Sequence, residues 1–402
     1  MRFIKPFSTF IYVMSYSIAC AFLMIANTAQ GKIELSNPDN LFVAGRFSEA
    51  QIAYANQLQA EPRNVHALER LTTLAMYDNN LESAEGYIEK LSYLAPESTT
   101  IKRYRPILSQ RRNNSGEFQF DKNHSSISLP FVTNEPLPVV ELTVNGVKGN
   151  FVIDTGAPTI LIDPAFAQSA GLSASENSGE AIFGGGMRSQ VQSTIISNLM
   201  LGSLTISNVR ADIIPSRAEN MFPHTKISGT LGTAIFYNFL TTIDYAGQQL
   251  LLRPKSASAE FQRDAKARGA ISTQMWLIGT HFIVAEAAIN GHQPTLMHID
   301  SGGAGMGIQL STDQIETAKV HLDRTNSTKG ITPAGEVDLI PFRADVSIGL
   351  YKKLAVKGFF TPQGDPYRLI FPFKIGGTVS DLFFRDSSVT FDFVTMQMTI
   401  GG

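Results

Sequence analysis

Three textures of apolar and polar positions follow one another along the chain. Phe7 to Ala26 is mostly apolar without an amphipathic face. A helical pattern follows over 38–112. There Gly45-Arg46-Phe47-Ser48-Glu49-Ala50, Tyr54 and Pro62 are echoed by Asn80-Leu81-Glu82-Ser83-Ala84, Ile88 and Pro96, and Ala50 to Ala84 and Pro62 to Pro96 are both 34 residues. Leu68 and Leu71 fit the first helix of such a unit. Periodicity then fades over 97–130. Lys102, Arg103, Arg105, Arg111 and Arg112 read as a solvated helix end, and 113–130, with its polar run Asn113-Asn114-Ser115-Gly116, reads as a linker. From about Pro136 the chain turns to short β-branched and aromatic runs broken by Gly and Asn, the signature of strands and hairpins. The same texture returns from about Gly279, so the remainder predicts a mainly β architecture in two halves, 131–260 and 261–402.

The leader carries Arg2 and Lys5 before its apolar run and Asn27-Thr28-Ala29-Gln30 after it, an order that resembles a secretory signal peptide. Residues 1–29 are therefore expected to be a signal peptide, cut after Ala29, or an uncleaved anchor, since 20 residues can cross a ~30 Å hydrocarbon core. Either reading places the protein outside the cytoplasm, periplasmic or secreted, or held to the membrane by residues 7–26 alone. The 34-residue period resembles tetratricopeptide repeats, in which stacked helix pairs bury a shared face. That resemblance implies docking of a protein partner; a helical cap on the main body is the competing reading. Two units are fewer than the three such arrays need to stand alone, so the module is expected to lean on neighbouring structure.

Composition narrows the chemistry. Hydrophobic residues make up 43% of the 402 positions and charged residues 17%, which excludes a disordered polyelectrolyte. With 33 basic and 35 acidic residues the chain lacks the basic footprint of a nucleic-acid binder. Its single cysteine, Cys20, lies in the leader, so no disulfide framework, cysteine nucleophile or cysteine zinc site can be built. No metal and no cofactor is expected.

The two β halves can be laid on each other. Asn145-Gly146 precedes Phe151-Val152-Ile153-Asp154-Thr155-Gly156-Ala157, and Asn290-Gly291 precedes Leu296-Met297-His298-Ile299-Asp300-Ser301-Gly302-Gly303. Further on, Gly229-Thr230-Leu231-Gly232 leads to Ile243-Asp244-Tyr245, as Gly377-Thr378-Val379-Ser380 leads to Phe391-Asp392-Phe393. These landmarks resemble the aspartic proteases of the pepsin and retroviral type over roughly residues 130–402. The resemblance implies a single-chain, pseudo-two-fold bilobal β fold with Asp154 and Asp300 facing each other as catalytic residues. Thr155 and Ser301 would tie the two loops together, and Gly156 and Gly302 would let them approach closely.

The chemistry has a physical basis. Two carboxyl groups a few ångströms apart cannot both ionise, so they share a proton, and one serves as base while the other serves as acid. A water between them is thereby activated to attack a peptide carbonyl. The expected function is that of an exported aspartic endopeptidase acting on peptide or unfolded-protein substrates. A weak or inactive peptide-binding module on the same scaffold is the alternative. Phe183-Gly184-Gly185-Gly186-Met187 interrupts two strand-like runs, and Gly184, Gly185 and Gly186 are the candidate flap tip. Three departures from the family pattern stand out. Ala157 and Gly303 offer no hydroxyl to their aspartates, which shifts the expected working range to less acidic pH. Ser380 replaces the glycine that Gly232 supplies in the first half and puts the second half's geometry in question. His298, two residues before Asp300, reads as a hydrogen-bonded core histidine ahead of a group that tunes the pair.

Overall fold

The computed structural model describes residues 37–113, 118–120, 126–174, 178–183, 187–215, 221–332, 335–362 and 367–401. The leader and the glycines 184–186 lie outside them. Among the described residues no helix is long and apolar enough to cross a membrane.

Five helices open the described chain: α1 (Pro38–Val43), α2 (Phe47–Ala60), α3 (Val65–Tyr77), α4 (Leu81–Leu94) and α5 (Thr99–Asn113). Their starts are written locally. Asn37, Asn64 and Asn80 each cap a helix by accepting a hydrogen bond from a backbone N–H of its first turn. The inward faces bury Phe42, Phe47, Tyr54, Leu68, Leu71, Ala84, Ile88 and Leu91. This core does not close on itself: it continues into Trp276, Ile278, Val284, Leu296, Phe373 and Ile375 of the β body. The turn at Gly45 shows how tight the junction is. Its φ of +79° suits glycine, and a Cβ there would lie 2.8 Å from Leu296 Cδ1. Of the basic residues read as a solvated helix end, Arg111 departs from that reading, because its guanidinium donates to the Gly279 carbonyl of the β body at 2.7 Å.

Each β half is organised around a hairpin. Val139–Val144 pairs with Val147–Ile153, and Phe282–Ile289 pairs with Thr295–Asp300. Asn145-Gly146 and Asn290-Gly291 all have positive φ; the first pair is the whole two-residue turn of its hairpin, and the second opens the five-residue connection between Ile289 and Thr295. Alongside the second strand of each hairpin runs a parallel strand, Ile227–Leu231 in the first half and Gly377–Ser380 in the second. Residues of the second strand and its parallel neighbour, including Phe151, Ile153, Leu231, Met297, Ile299 and Val379, belong to one continuous apolar core.

The halves share a sheet. Six of the described strands follow in the order Ile127–Thr133, Gln249–Arg253, Leu240–Asp244, Ser388–Asp392, Gln397–Ile400 and Ile271–Ile278, all pairings antiparallel. At the central pair Thr242 lies opposite Thr390, and their hydroxyls are 2.7 Å apart. Two boundaries move as a result. Ile127–Thr133 begins inside the stretch expected as linker, because Ile127 and Leu129 alternate with exposed Ser128 and Pro130 and pair with Gln249–Arg253. The division at 260/261 falls within the helix Ser258–Ala267 rather than in a loop.

Candidate active site

Asp154 and Asp300 stand where Val147–Ile153 and Thr295–Asp300 run out into turns. Four hydrogen bonds lock those turns together. The Thr155 N–H donates to Ser301 Oγ and the Ser301 N–H to Thr155 Oγ1, both at 3.0 Å. Each hydroxyl then donates across to the opposite strand, Thr155 Oγ1 to the Ile299 carbonyl at 2.8 Å and Ser301 Oγ to the Ile153 carbonyl at 3.0 Å. Both side chains are buried, so every donor and acceptor must be matched inside the protein.

This cross-tie brings the carboxyl groups face to face. The Gly156 N–H donates to Asp154 Oδ1 and the Gly302 N–H to Asp300 Oδ1, each at 2.8 Å. A Cβ on Gly156 would lie 2.7 Å from Asp300 Cγ, and one on Gly302 would lie 2.5 Å from Asp154 Cγ. Any side chain at either glycine would collide with the opposite carboxyl. Burial is the largest influence on Asp154 and pushes its carboxyl well above the usual range; the neighbouring Asp300 carboxyl and the hydrogen bond between the two add to it, and the amides of Gly156 and Ala157 oppose it. The arrangement can hold one proton between two carboxyls.

Residues 140–235 match the aspartyl protease family model. The match supports an aspartyl protease and spans Asp154, Thr155, Gly156 and Gly232; Asp300 lies beyond it. Among solved structures, a retropepsin-like aspartic protease from Rickettsia conorii is similar at 17% identity over 34% of this chain and 94% of its own, with a TM-score of 0.23. At that score backbone likeness decides nothing, and the geometry stands on the bonds above. Curated proteins yield no match.

Ser380 does not disturb the second half. In the first half Gly232 is forced, since a Cβ there would lie 2.3 Å from the Thr159 carbonyl oxygen and 2.6 Å from that of Ala157. In the second half the sizes are exchanged. Gly303 stands where Ala157 does, and a Cβ on Gly303 would lie 2.4 Å from Ser380 Oγ. The space thus released holds the Ser380 hydroxyl, which donates to the Asp300 carbonyl at 2.5 Å and accepts from the Gly303 N–H at 3.0 Å. Small beside large is preserved, and Asp300 gains a tether.

His298 lies in the core with Nδ1 3.1 Å from the Tyr367 hydroxyl, and the Phe282 and His298 ring centroids are 5.0 Å apart. Burial lowers its pKa, against an opposing pull from Asp300. The Tyr367 oxygen is also 2.6 Å from Thr378 Oγ1.

Sequence reasoning missed two supports of the site. One is Thr233, whose hydroxyl donates to the Thr155 carbonyl at 2.7 Å; a threonine after Gly232 was visible but carried no distinguishing signal. The other is a polar cluster around the buried Asp381, open to solvent at Glu135. Arg385 pairs with Asp381 and Glu135 and donates to the Pro136 carbonyl at 2.7 Å, so it crosses from the second half to the first. Burial raises Asp381 to about 6 despite Arg385. The Tyr245 phenol is pushed upward by burial and then by Asp381, against Arg385, with Asp300 and Asp154 adding to the upward shift. No motif spans residues that far apart. Among the described residues, no group of three His, Cys, Asp or Glu side chains could hold a metal ion.

Proposed function

We propose that this chain is an exported, single-chain aspartic endopeptidase in which Asp154 and Asp300 activate a water against the peptide bond. The observation that carries the reading is the mutual cross-tie of Thr155 and Ser301, which sets two carboxyls against each other's glycines. In the resting site one carboxyl is protonated. The ionised partner takes a proton from the water as it attacks, and the protonated one hydrogen-bonds the carbonyl oxygen that becomes negative. The carboxyls then return the proton to the leaving amine.

The corresponding hairpins, parallel strands and shared sheet support a bilobal body with pseudo-two-fold symmetry, its lobes near 131–260 and 261–402. Extended peptide or unfolded protein is the substrate class, held by backbone pairing to strand edges. Residues 1–29 serve as the export signal or anchor. The helical region supports the repeat reading, since α2 and α4 are offset by the same 34 residues that separate Ala50 from Ala84.

The test is cleavage of an unstructured protein across pH by the chain lacking its leader, beside Asp154→Asn and Asp300→Asn. Cleavage by the parent with an optimum above about pH 4, as expected where Ala157 and Gly303 offer no hydroxyl to the carboxylates, and loss of at least ~1,000-fold in either variant is expected. Cleavage that survives both substitutions would refute the carboxyl pair. A parent that binds the protein but cuts it under no condition would make this a binding module.

A further inference from the structure

The helical region meets the β body at a polar junction that its apolar contacts do not explain. Asn79 lies in the turn between α3 and α4 with φ of 50°, a left-handed conformation that Asn tolerates better than most side chains. Both polar atoms of its side chain are engaged. Nδ2 donates to the Phe393 carbonyl of the second half at 2.8 Å, while Oδ1 accepts from the Tyr237 hydroxyl of the first half at 3.0 Å and from Arg111 Nη1 at 3.3 Å. One amide thus touches both halves. Arg111, on the last turn of α5, also donates to the Met76 carbonyl and, through Nη2, to the Gly279 carbonyl, each at 2.7 Å. Its guanidinium lies 5.6 Å from the centroid of the Tyr237 ring, and that ring lies 5.4 Å from the ring of Phe393.

Tyr237 leads directly to the carboxyl pair. Its N–H donates to the Thr233 carbonyl at 2.8 Å at the end of the short helix Thr233–Phe236. The Thr233 hydroxyl donates to the Thr155 carbonyl, and its N–H donates to the Ala157 carbonyl at 2.9 Å. Four residues, Asn79, Tyr237, Thr233 and Thr155, therefore form an unbroken bonded path from the helical region to the loop that holds Asp154.

The other half shows what this path replaces. Arg385 stands as far beyond Ser380 as Tyr237 stands beyond Gly232. From there Arg385 reaches the Pro136 carbonyl in the segment joining Ile127–Thr133 to Val139–Val144. On the first-half side the position holds a tyrosine, which carries no cation. The guanidinium comes instead from α5: Arg111 reaches the Gly279 carbonyl in the segment joining Ile271–Ile278 to Phe282–Ile289. Each of these two connecting segments thus receives one arginine; on the first-half side the guanidinium comes from the helical region and joins the first half's own Lys255, whose ammonium lies 3.9 Å from the centroid of the Tyr237 ring.

We propose that the helical region is a working part of the catalytic unit, and that Asn79 and Arg111 are positioning residues that hold Tyr237 and, through it, the Asp154 loop. The catalytic arm of this inference rests on the endopeptidase reading; the structural arm does not. A forked, five-donor guanidinium can satisfy two carbonyls and an amide at once, which a lysine ammonium on the same stem cannot do in that geometry.

The test uses the chain from residue 30 onward with Asn79→Ala, Arg111→Lys, Tyr237→Phe and the Asn79→Ala/Tyr237→Phe double variant. Hydrogen exchange is read in two places, the 151–157 segment and the remote hairpin of Thr328–Thr332 with Gly335–Ile348. Exchange in 151–157 is expected to accelerate at least ~10-fold in each single variant while the remote hairpin is unchanged. The double variant should be no worse than its worse single member, since both changes break one contact. Where the parent cleaves, kcat should fall about 10-fold with KM within about 2-fold, because the Asp154 loop and not the substrate contacts is loosened. Unchanged exchange in 151–157, or equal acceleration in both places, would overturn the proposal whether or not the parent is a protease. An inactive parent with the expected exchange pattern would count against the endopeptidase reading and leave the path standing.

Discussion

A methyl group added at Gly303 would lie 2.4 Å from Ser380 Oγ, while Ala157 in the first half carries that methyl without strain beside Gly232. The two pairs encode the same volume in opposite order. Gly303→Ala is therefore expected to lower stability by roughly 1–3 kcal/mol through overpacking, and Gly303→Ala/Ser380→Gly should recover part of that loss by recreating the first-half pair. Thermal unfolding of both variants decides it; a double variant no more stable than Gly303→Ala would show that the exchange is not compensatory. Both glycine and serine were plain in the sequence. Their meaning was not, because Ser380 looked like a lost glycine until Gly303 was seen to face it across 77 residues. Asp154 and Asp300 were legible at this scale because each follows an apolar strand and precedes a small residue and a glycine. Thr233, Tyr245 and Arg385 were not, since a hydroxyl or a guanidinium in a β-rich sequence has many ordinary uses.

The helix Asp381–Phe384 begins with a carboxyl group buried beside Arg385, and that element carries its own pH signature. Asp381 ionises near an ordinary 3.8 when unfolded and at about 6 when folded. The native state then binds more protons between those values, so this group's contribution makes stability fall as pH rises from about 4 to about 6. Asp381→Asn removes the titration. Denaturant unfolding at a series of pH values should give a flatter curve over that window for the variant; an unchanged slope would show that Asp381 titrates as it does in water. Elements themselves were legible where their signals are local. The Asn-Gly turns announce hairpins through their positive φ, whereas the helix caps Asn64 and Asn80 were recognised only in the structure. The strand Ile127–Thr133 was missed because its pattern is short and interrupted by Pro130, and its partner Gln249–Arg253 lies some 120 residues away.

On the scale of the whole molecule, the helical region and the second half bury each other. Trp276, Val284, Leu296, Phe373 and Ile375 belong to the same apolar cluster as Phe42, Phe47 and Leu68, and each large side chain so buried contributes about 1.5–3 kcal/mol. A chain beginning after residue 113 would present that face to water. It is expected to bind a hydrophobic dye strongly and to unfold at a lower temperature than the chain from residue 30 onward; equal melting with no dye binding would mean that the two parts are independent. The shared six-stranded sheet makes the same point for the β halves, since Leu240–Asp244 and Ser388–Asp392 pair at its centre.

The order of residues by itself determined the two aspartate triplets, the duplicated frame around them, the hairpin turns and the helical period. Each of these is carried by neighbours within a few positions, where steric and hydrogen-bonding preferences act without help from the rest of the chain. Only the tertiary structure decided that Thr155 and Ser301 exchange hydrogen bonds across 146 residues and that Ser380 fits because Gly303 is small. It alone brought Arg111 of a helix to the junction of two β halves. Contacts of that kind depend on how sheets and helices close on one another, and a buried donor takes whichever acceptor that closure brings within reach.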